Sequence, residues 1–335
     1  MAQMVAIGVD THKDTHVAVA LDALGGELDD CVIQATRAGY EQLLEWSRRL
    51  GQPVFAIEGS GSYGAGLARY LEQAGERVHE CERPHRRDRR AGKNDRIDAT
   101  LAARHLLTGE GLSCRRGDGS REQLRALLCE RRGAVQARSA ARNQLHALVV
   151  TAPDALRERL TRLSSDRLVA TAARLHASPD GLNGVLRRIA KRVQYLTAEI
   201  NEIERSMLAL VRQVAAFLLE QCGIGVVCAA QLLVSSGDIE RMRTEASFAA
   251  LAGTSPVDAS SGKQQRHRLN RGGDRQLNWA LHVITLQRVR RDPETITYYK
   301  HLLANGKTRR EARRCIKRAL ARRLFHLLRQ TPLTT

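Results

Sequence analysis

Long apolar runs are missing from this chain: no stretch approaches the roughly 20 residues a helical membrane span needs, so no membrane-spanning role is expected. Aromatic residues make up only 4% of the sequence, so stacking of bases on aromatic platforms is not expected to dominate recognition of any nucleic acid. The seven cysteines, Cys31, Cys81, Cys114, Cys129, Cys222, Cys228 and Cys315, are odd in number and contain no CxxC pair. That spacing argues against a structural zinc site and suits a reducing compartment. The opening residues "MAQMVAIGVD" lack the basic region, apolar core and cleavage site of a signal peptide, so a cytoplasmic protein is expected.

What the chain has in excess is positive charge: 54 Lys and Arg against 36 Asp and Glu, a formal net charge of +18 and a pI near 10.4. Solubility does not require so much, and the excess implies a polyanionic partner, nucleic acid in preference to a membrane surface. With 335 residues, 43% of them hydrophobic, the chain can build two or three separate cores.

The first 81 residues read as an α/β order. "MVAIGVD" and "THVAVALD" are strands joined by a tight "THKD" connection, and "GGELDDCVIQAT" adds a turn and a third strand. "GYEQLLEWSRRL" has helical spacing, "PVFAIEG" is a short apolar strand, "SYGAGLARYLEQAG" a helix and "ERVHEC" another strand. Three strands, a helix, a strand, a helix and a strand form a mixed sheet with the order of a ribonuclease-H-like core.

Asp10 closes the first strand, Glu58 closes "VFAIE", and Asp95 and Asp98 open a helix three residues apart, on one helical face. With the two strands adjacent and that helix beside their ends, all four carboxylates meet. Their repulsion then calls for a divalent cation, and hard oxygen ligands suit Mg²⁺ or Mn²⁺. Singly, each acid has an ordinary explanation: Asp10 a turn, Asp95 a helix cap, Asp98 a partner of the helix dipole. Asp95 and Asp98 lie in "RPHRRDRRAGKNDRIDATLAARHLL", whose arginines are expected to hold a nucleic-acid backbone while the acids hold metal.

From about residue 121 the reading is helical, with two long helices favouring an antiparallel hairpin. Leu186, Ile189, Val193, Leu196, Ile200, Ile203, Met207 and Leu210 form a coiled-coil-like seam, usable for folding back or for dimerisation. "CGIGVVCAAQLLVSSGD" fits the helix-hairpin-helix pattern GxGxxxAxxLL, in which Gly223 and Gly225 let backbone amides approach a phosphate. A basic loop over 252–275 follows, then two helices, the last carrying arginines off its apolar side, some of them expected to contact phosphate rather than only form a solvated face. The expected divisions are 1–120, 121–217 and 218–335.

"AIGVDTHKDTHVAVALD", "AIEGSGSYGAGLARYL", "KNDRIDATLAARHLL", "CGIGVVCAAQLL" and "LAGTSPVDASSGKQQRHRLNRGGDRQLNWAL" together resemble the DEDD transposases of the insertion-sequence 110 family. The resemblance implies a RuvC-like N-terminal domain in which Asp10, Glu58, Asp95 and Asp98 are the catalytic acids, and a C-terminal transposase domain. It also implies a nucleophilic serine before a glycine, which falls on Ser261, with Ser260 beside it as an ambiguity. Arg86, Arg87, Lys93, Lys263, Arg266, Arg268, Arg271 and Arg275 are the associated candidates for nucleic-acid contact. The family further implies donor and target DNA as substrates, an element-encoded guide RNA, a homo-oligomer in which the serine of one protomer completes the acidic site of another, and a place at the nucleoid. The segment "ECERPHRRDRRAGKND" matches the family only loosely.

Other classes fit less of the chain. A junction-resolving nuclease would use the same acids with water in place of Ser261. An actin-like ATPase would need a later DxG phosphate motif, tyrosine recombination through Tyr298 or Tyr299 would need an HxxR arrangement, and an architectural DNA binder would leave the acids idle.

Overall fold

The computed structural model describes residues 3–81, 94–109, 111–114, 119–176, 181–237, 239, 242–258, 267–268, 270 and 272–330. Among these, no helix is long and apolar enough to cross a membrane. The chain divides into two compact units, Met1–Gly117 and Asp118–Thr335.

The first unit is α/β. Its elements run β1 (Met4–Thr11), β2 (Thr15–Leu21), β3 (Glu27–Gln34), α1 (Arg37–Leu50), β4 (Gln52–Glu58), α2 (Ala65–Gln73), β5 (Arg77–Cys81), α3 (Asp95–Thr108) and β6 (Leu112–Cys114). They form one mixed sheet in the order β3-β2-β1-β4-β5-β6. β1 pairs antiparallel with β2 and parallel with β4, while β5 runs parallel to β4 and antiparallel to β6. The short strand β6 was not apparent in the periodicity, because three residues cannot display one.

The two faces of this sheet differ in the size of their side chains. Val5, Ile7 and Val9 of β1, with Phe55 and Ile57 of β4, pack under α1 and α2 against Leu43, Leu44, Leu67 and Leu71. The alternate residues are small: Ala6 packs with Ala99 and Ala103 of α3, and Ala56 with Ala102. Gly8 completes this shallow face. A Cβ there would lie 1.9 Å from the Ala99 carbonyl oxygen and 2.3 Å from the Ala103 nitrogen. Only glycine lets the α3 backbone come so close to the central strand.

Among its described residues, the second unit is helical apart from one short β-hairpin. Its elements are α4 (Ser120–Val150), α5 (Asp154–Thr161), α6 (Ser165–Ala172), α7 (Leu182–Leu219), α8 (Val226–Ser236), α9 (Glu245–Leu251), β7 (Val257–Asp258), β8 (His267–Arg268), α10 (Arg275–Arg291), α11 (Pro293–Ala304) and α12 (Arg309–Gln330). The seam of α7 folds back on α4 in the antiparallel sense. Leu186, Ile189 and Val193 pack with Leu145 and Val149 near the end of α4, and Ile203, Met207 and Val211 with Leu124 and Leu128 near its start. Such burial stabilises by roughly 25 cal/mol per Å² of apolar surface removed from water.

Two features depart from the sequence expectation. The stretch after the basic loop contains three helices, not two: the Asp292 carboxylate caps the new helix by accepting from the Thr295 amide, with Pro293 at its first position. Proline is well suited to that position because its missing N–H is not needed there. The loop itself is not wholly irregular, since β7 and β8 pair as an antiparallel hairpin. Residues 259–266 between them, including Ser260, Ser261, Lys263 and Arg266, lie outside the described residues, as do Arg86, Arg87, Lys93 and Arg271.

Candidate metal and nucleic-acid sites

Strand alternation sets the acidic site. Asp10 has the same parity on β1 as Ala6 and Gly8, and Glu58 the same parity on β4 as Ala56, so both carboxylates belong to the face that α3 covers. The β1–β4 register ends at Val9 opposite Ile57, which puts Asp10 and Glu58 next in line on neighbouring strands. The Thr11 hydroxyl donates to the Glu58 carbonyl at 2.7 Å and ties the two strand ends together.

Helix α3 brings the other two acids. Asn94, not Asp95, is its cap and accepts from the Arg96 amide, which leaves the Asp95 and Asp98 carboxylates in the first turn. Asp98 lies one turn before Ala102, and Asp95 one turn before Ala99, so the acids extend the buried rows of the helix toward the sheet end. Asp98 is 5% exposed and Asp10 8%. The helix N-terminus offsets part of their repulsion. Arg96 turns away and pairs with Glu27 and Asp30 of β3.

Burial pushes the Asp10 carboxyl up to about 6. His12 opposes that rise, whereas Glu58, Asp95 and Asp98 add to it. All four predicted acids therefore act on one point. His12, in the turn between β1 and β2, was not singled out from the sequence, although it stands two residues from Asp10. Its Nδ1 lies 3.8 Å from Asp10 Oδ2, and its Nε2 lies 3.9 Å from Asp95 Oδ1. One ligand atom each from Asp10, His12 and Asp95 lie within 4.8 Å of one another. Crowded, partly desolvated carboxylates with one imidazole are a donor set suited to a divalent cation.

The second unit holds the remaining candidates. Gly223 has φ +83, and a Cβ on it would meet Ile284, Gln287 and Arg288 of α10 at 3.2 Å, so this glycine serves packing as well as the turn. Arg288 reinforces the same turn by donating to the Cys222 carbonyl at 3.4 Å, and it pairs with Asp292 at 2.8 Å. Gly225 faces open space and begins α8, which has no side-chain cap. Arg275 is exposed at the start of α10, and Arg268 lies in β8, its side chain outside the described ones.

The flanks of the basic loop are held by partly buried polar contacts. Ser235 donates to Asp274 at 2.6 Å, Asp274 caps α10, and Asn278 donates to the Ala252 carbonyl at 2.7 Å while accepting from Lys317 at 2.9 Å. Lys317 belongs to a cationic group with Arg313 and Arg314, and His282 lies beside it; sequence reasoning missed both Lys317 and His282. Burial lowers both their pKa values, helped by Arg314 for Lys317 and by Lys317 and Arg313 for His282. Alternation of Lys and Arg with apolar residues along α12 was the available signal, but only the packing of α10 against α12 adds His282.

An acidic, metal-competent centre on a mixed sheet, in a chain of charge +18, is the build of an enzyme that acts on nucleic acid. Residues 7–152 match a family model described as "Transposase", and residues 215–300 one described as "Transposase IS116/IS110/IS902 family". The chain belongs to the IS110 family of transposases. It is 27% identical to the insertion element IS900 uncharacterized 42 kDa protein of Mycobacterium paratuberculosis, over 98% of this chain and 95% of that protein. It is 33% identical to the insertion element IS110 uncharacterized 43.6 kDa protein of Streptomyces coelicolor, over 41% and 36% of the two chains. A probable family 20 transposase of Pseudomonas aeruginosa is 36% identical over 31% of each.

Proposed function

We propose that this transposase cuts and rejoins DNA strands with Ser261 as nucleophile and Asp10, Glu58, Asp95 and Asp98 as its catalytic centre, on donor and target DNA chosen by an element-encoded RNA. The observation that carries the reading is a buried Asp10 whose carboxyl is pushed up to about 6 by burial and by three further acids. Such a group costs stability at neutral pH unless a cation neutralises it. The donor set fits Mg²⁺ or Mn²⁺, and either ion, when bound, stabilises developing charge on phosphate oxygens.

The chain's own residues do the rest. Asp10 and Glu58 are fixed by paired strands and Asp95 and Asp98 by a helix held close through Gly8, so the acids need little reorganisation. The Ser261 oxygen forms a bond to phosphorus as the bond to the leaving sugar oxygen breaks, and the serine proton balances the charge on that oxygen. The phosphoserine conserves the energy of the broken bond, so a second strand's hydroxyl can reseal the DNA without an external energy source.

The strand order β3-β2-β1-β4-β5-β6 supports a RuvC-like core over 1–120, followed by a helical middle over 121–217 and a C-terminal transposase domain over 218–335. Arg86, Arg87, Lys93, Lys263, Arg266, Arg268, Arg271 and Arg275 would contact nucleic-acid backbone, with Gly223 and Gly225 shaping a further phosphate contact. Exposure of Arg275 and the open surroundings of Gly225 support these roles. The enzyme would work in the cytoplasm at the nucleoid, as a homo-oligomer.

A denaturing gel of full-length protein with labelled junction DNA, its co-expressed RNA and Mg²⁺ tests the reading. A covalent protein–DNA band is expected in the wild type and absent from Ser261→Ala. A free nicked product that survives the substitution would assign cleavage to water and the acids, and strand transfer in excess EDTA would remove the metal from the account.

A further inference from the structure

We propose that His12 is a nitrogen ligand of the acidic centre, so that the site takes Mn²⁺ in preference to Mg²⁺. This rests on the reading that the acids hold a divalent cation, and it adds a residue and a metal preference to it.

Three observations carry it. The His12 ring stands between Asp10 and Asp95, with one nitrogen toward each, at 3.8 and 3.9 Å. Both separations are too long for hydrogen bonds, so hydrogen bonding to these carboxylates does not explain the placement. An imidazole binds an ion through one nitrogen only, and either separation, taken singly, falls between the about 3 Å expected for neighbouring ligands and the about 4.2 Å for opposite ligands of one octahedral ion with bonds near 2.1 Å, with one ligand atom each from Asp10, His12 and Asp95 within 4.8 Å of one another. Finally, the fold fixes the backbone that carries the ring: the His12 amide donates to the Thr15 carbonyl at 3.0 Å, closing the β1–β2 turn, and the neighbouring Thr11 hydroxyl donates to the Glu58 carbonyl.

With a carboxylate facing each nitrogen, either nitrogen can share an ion with its neighbouring acid while the other N–H points toward the second acid. Imidazole favours Mn²⁺ over Mg²⁺, which prefers oxygen and keeps its waters. His12 is half-exposed, so replacing it removes little packing and should leave the fold intact.

The test is Mn²⁺ binding to the full-length protein without DNA, followed by electron paramagnetic resonance, with electron spin-echo modulation on the bound ion. The wild type should bind Mn²⁺ and show modulation from a directly coordinated ¹⁴N. In His12→Ala the modulation should vanish and Mn²⁺ affinity should fall by about 10-fold or more, with Mg²⁺ affinity, measured by competition, changing several-fold less. Bound Mn²⁺ without nitrogen modulation, or modulation that persists in His12→Ala, overturns the role of His12 and leaves the carboxylate site standing. Failure of the wild type to bind Mn²⁺ at the acids, judged by equal weak binding in Asp10→Asn, overturns the metal reading itself.

Discussion

The sheet end of the first unit and the α10–α12 pair of the second both gather like charges, by opposite means. Backbone geometry gathers the acids: two paired strands end together, and a helix is drawn onto them because Gly8 has no side chain. The cations gather through side-chain burial, with Lys317 anchored on Asn278 and His282 beside it. Concentrated charge of one sign destabilises the free protein in either case, and on the proposed reading a metal ion would relieve the first and a phosphate backbone the second. The first arrangement fixes ligand positions closely; the second tolerates a partner of variable shape.

The comparison can be broken most severely at Gly8. Gly8→Val should force α3 off the sheet, cost about 2–3 kcal/mol or more in unfolding free energy, and abolish strand transfer, whereas a substitution of similar size at an exposed position of α12 should do neither. Chemical denaturation with a parallel transfer assay checks this. Asp10→Asn should lower strand cleavage at least about 100-fold while DNA affinity, read by filter binding, stays within a few-fold of wild type.

Asp10 also makes a pH prediction. Its folded-state pKa, about 6, lies above the ordinary 3.8, so the folded protein binds a proton more tightly than the unfolded chain does. Metal-free stability should therefore be highest on this account below about pH 4, fall as pH rises toward 6, and stay lower above it. Asp10→Asn should remove that slope and stabilise the metal-free protein at pH 7.5 by on the order of 1–2 kcal/mol. Saturating Mn²⁺ should raise the wild-type melting temperature more at pH 7.5 than at pH 5. A stability profile flat from pH 4 to 7, and unchanged in the variant, would contradict the raised carboxyl.

Smaller effects sharpen the other side. Arg275→Ala should weaken DNA binding across all sequences and reduce its salt slope by about 1, without altering the melting temperature. Arg96→Ala, which removes an exposed pair with Glu27 and Asp30, should cost at most about 1 kcal/mol, and any loss of cleavage well beyond that would show that the pair orients Asp95 and Asp98.

The sequence by itself determined the α/β order of the first unit, the placement of Asp10 and Glu58 at strand ends, the start of α3 at Asp95 and the apolar stripe of α7, because each is written in local periodicity or in the residues that begin and end an element. Tertiary structure alone decided that α3 crosses the sheet over Gly8, that the α7 seam packs against α4 and that His12 stands between Asp10 and Asp95. These depend on which surfaces meet across the chain, and a one-dimensional pattern shows which face of an element is apolar without showing what covers it.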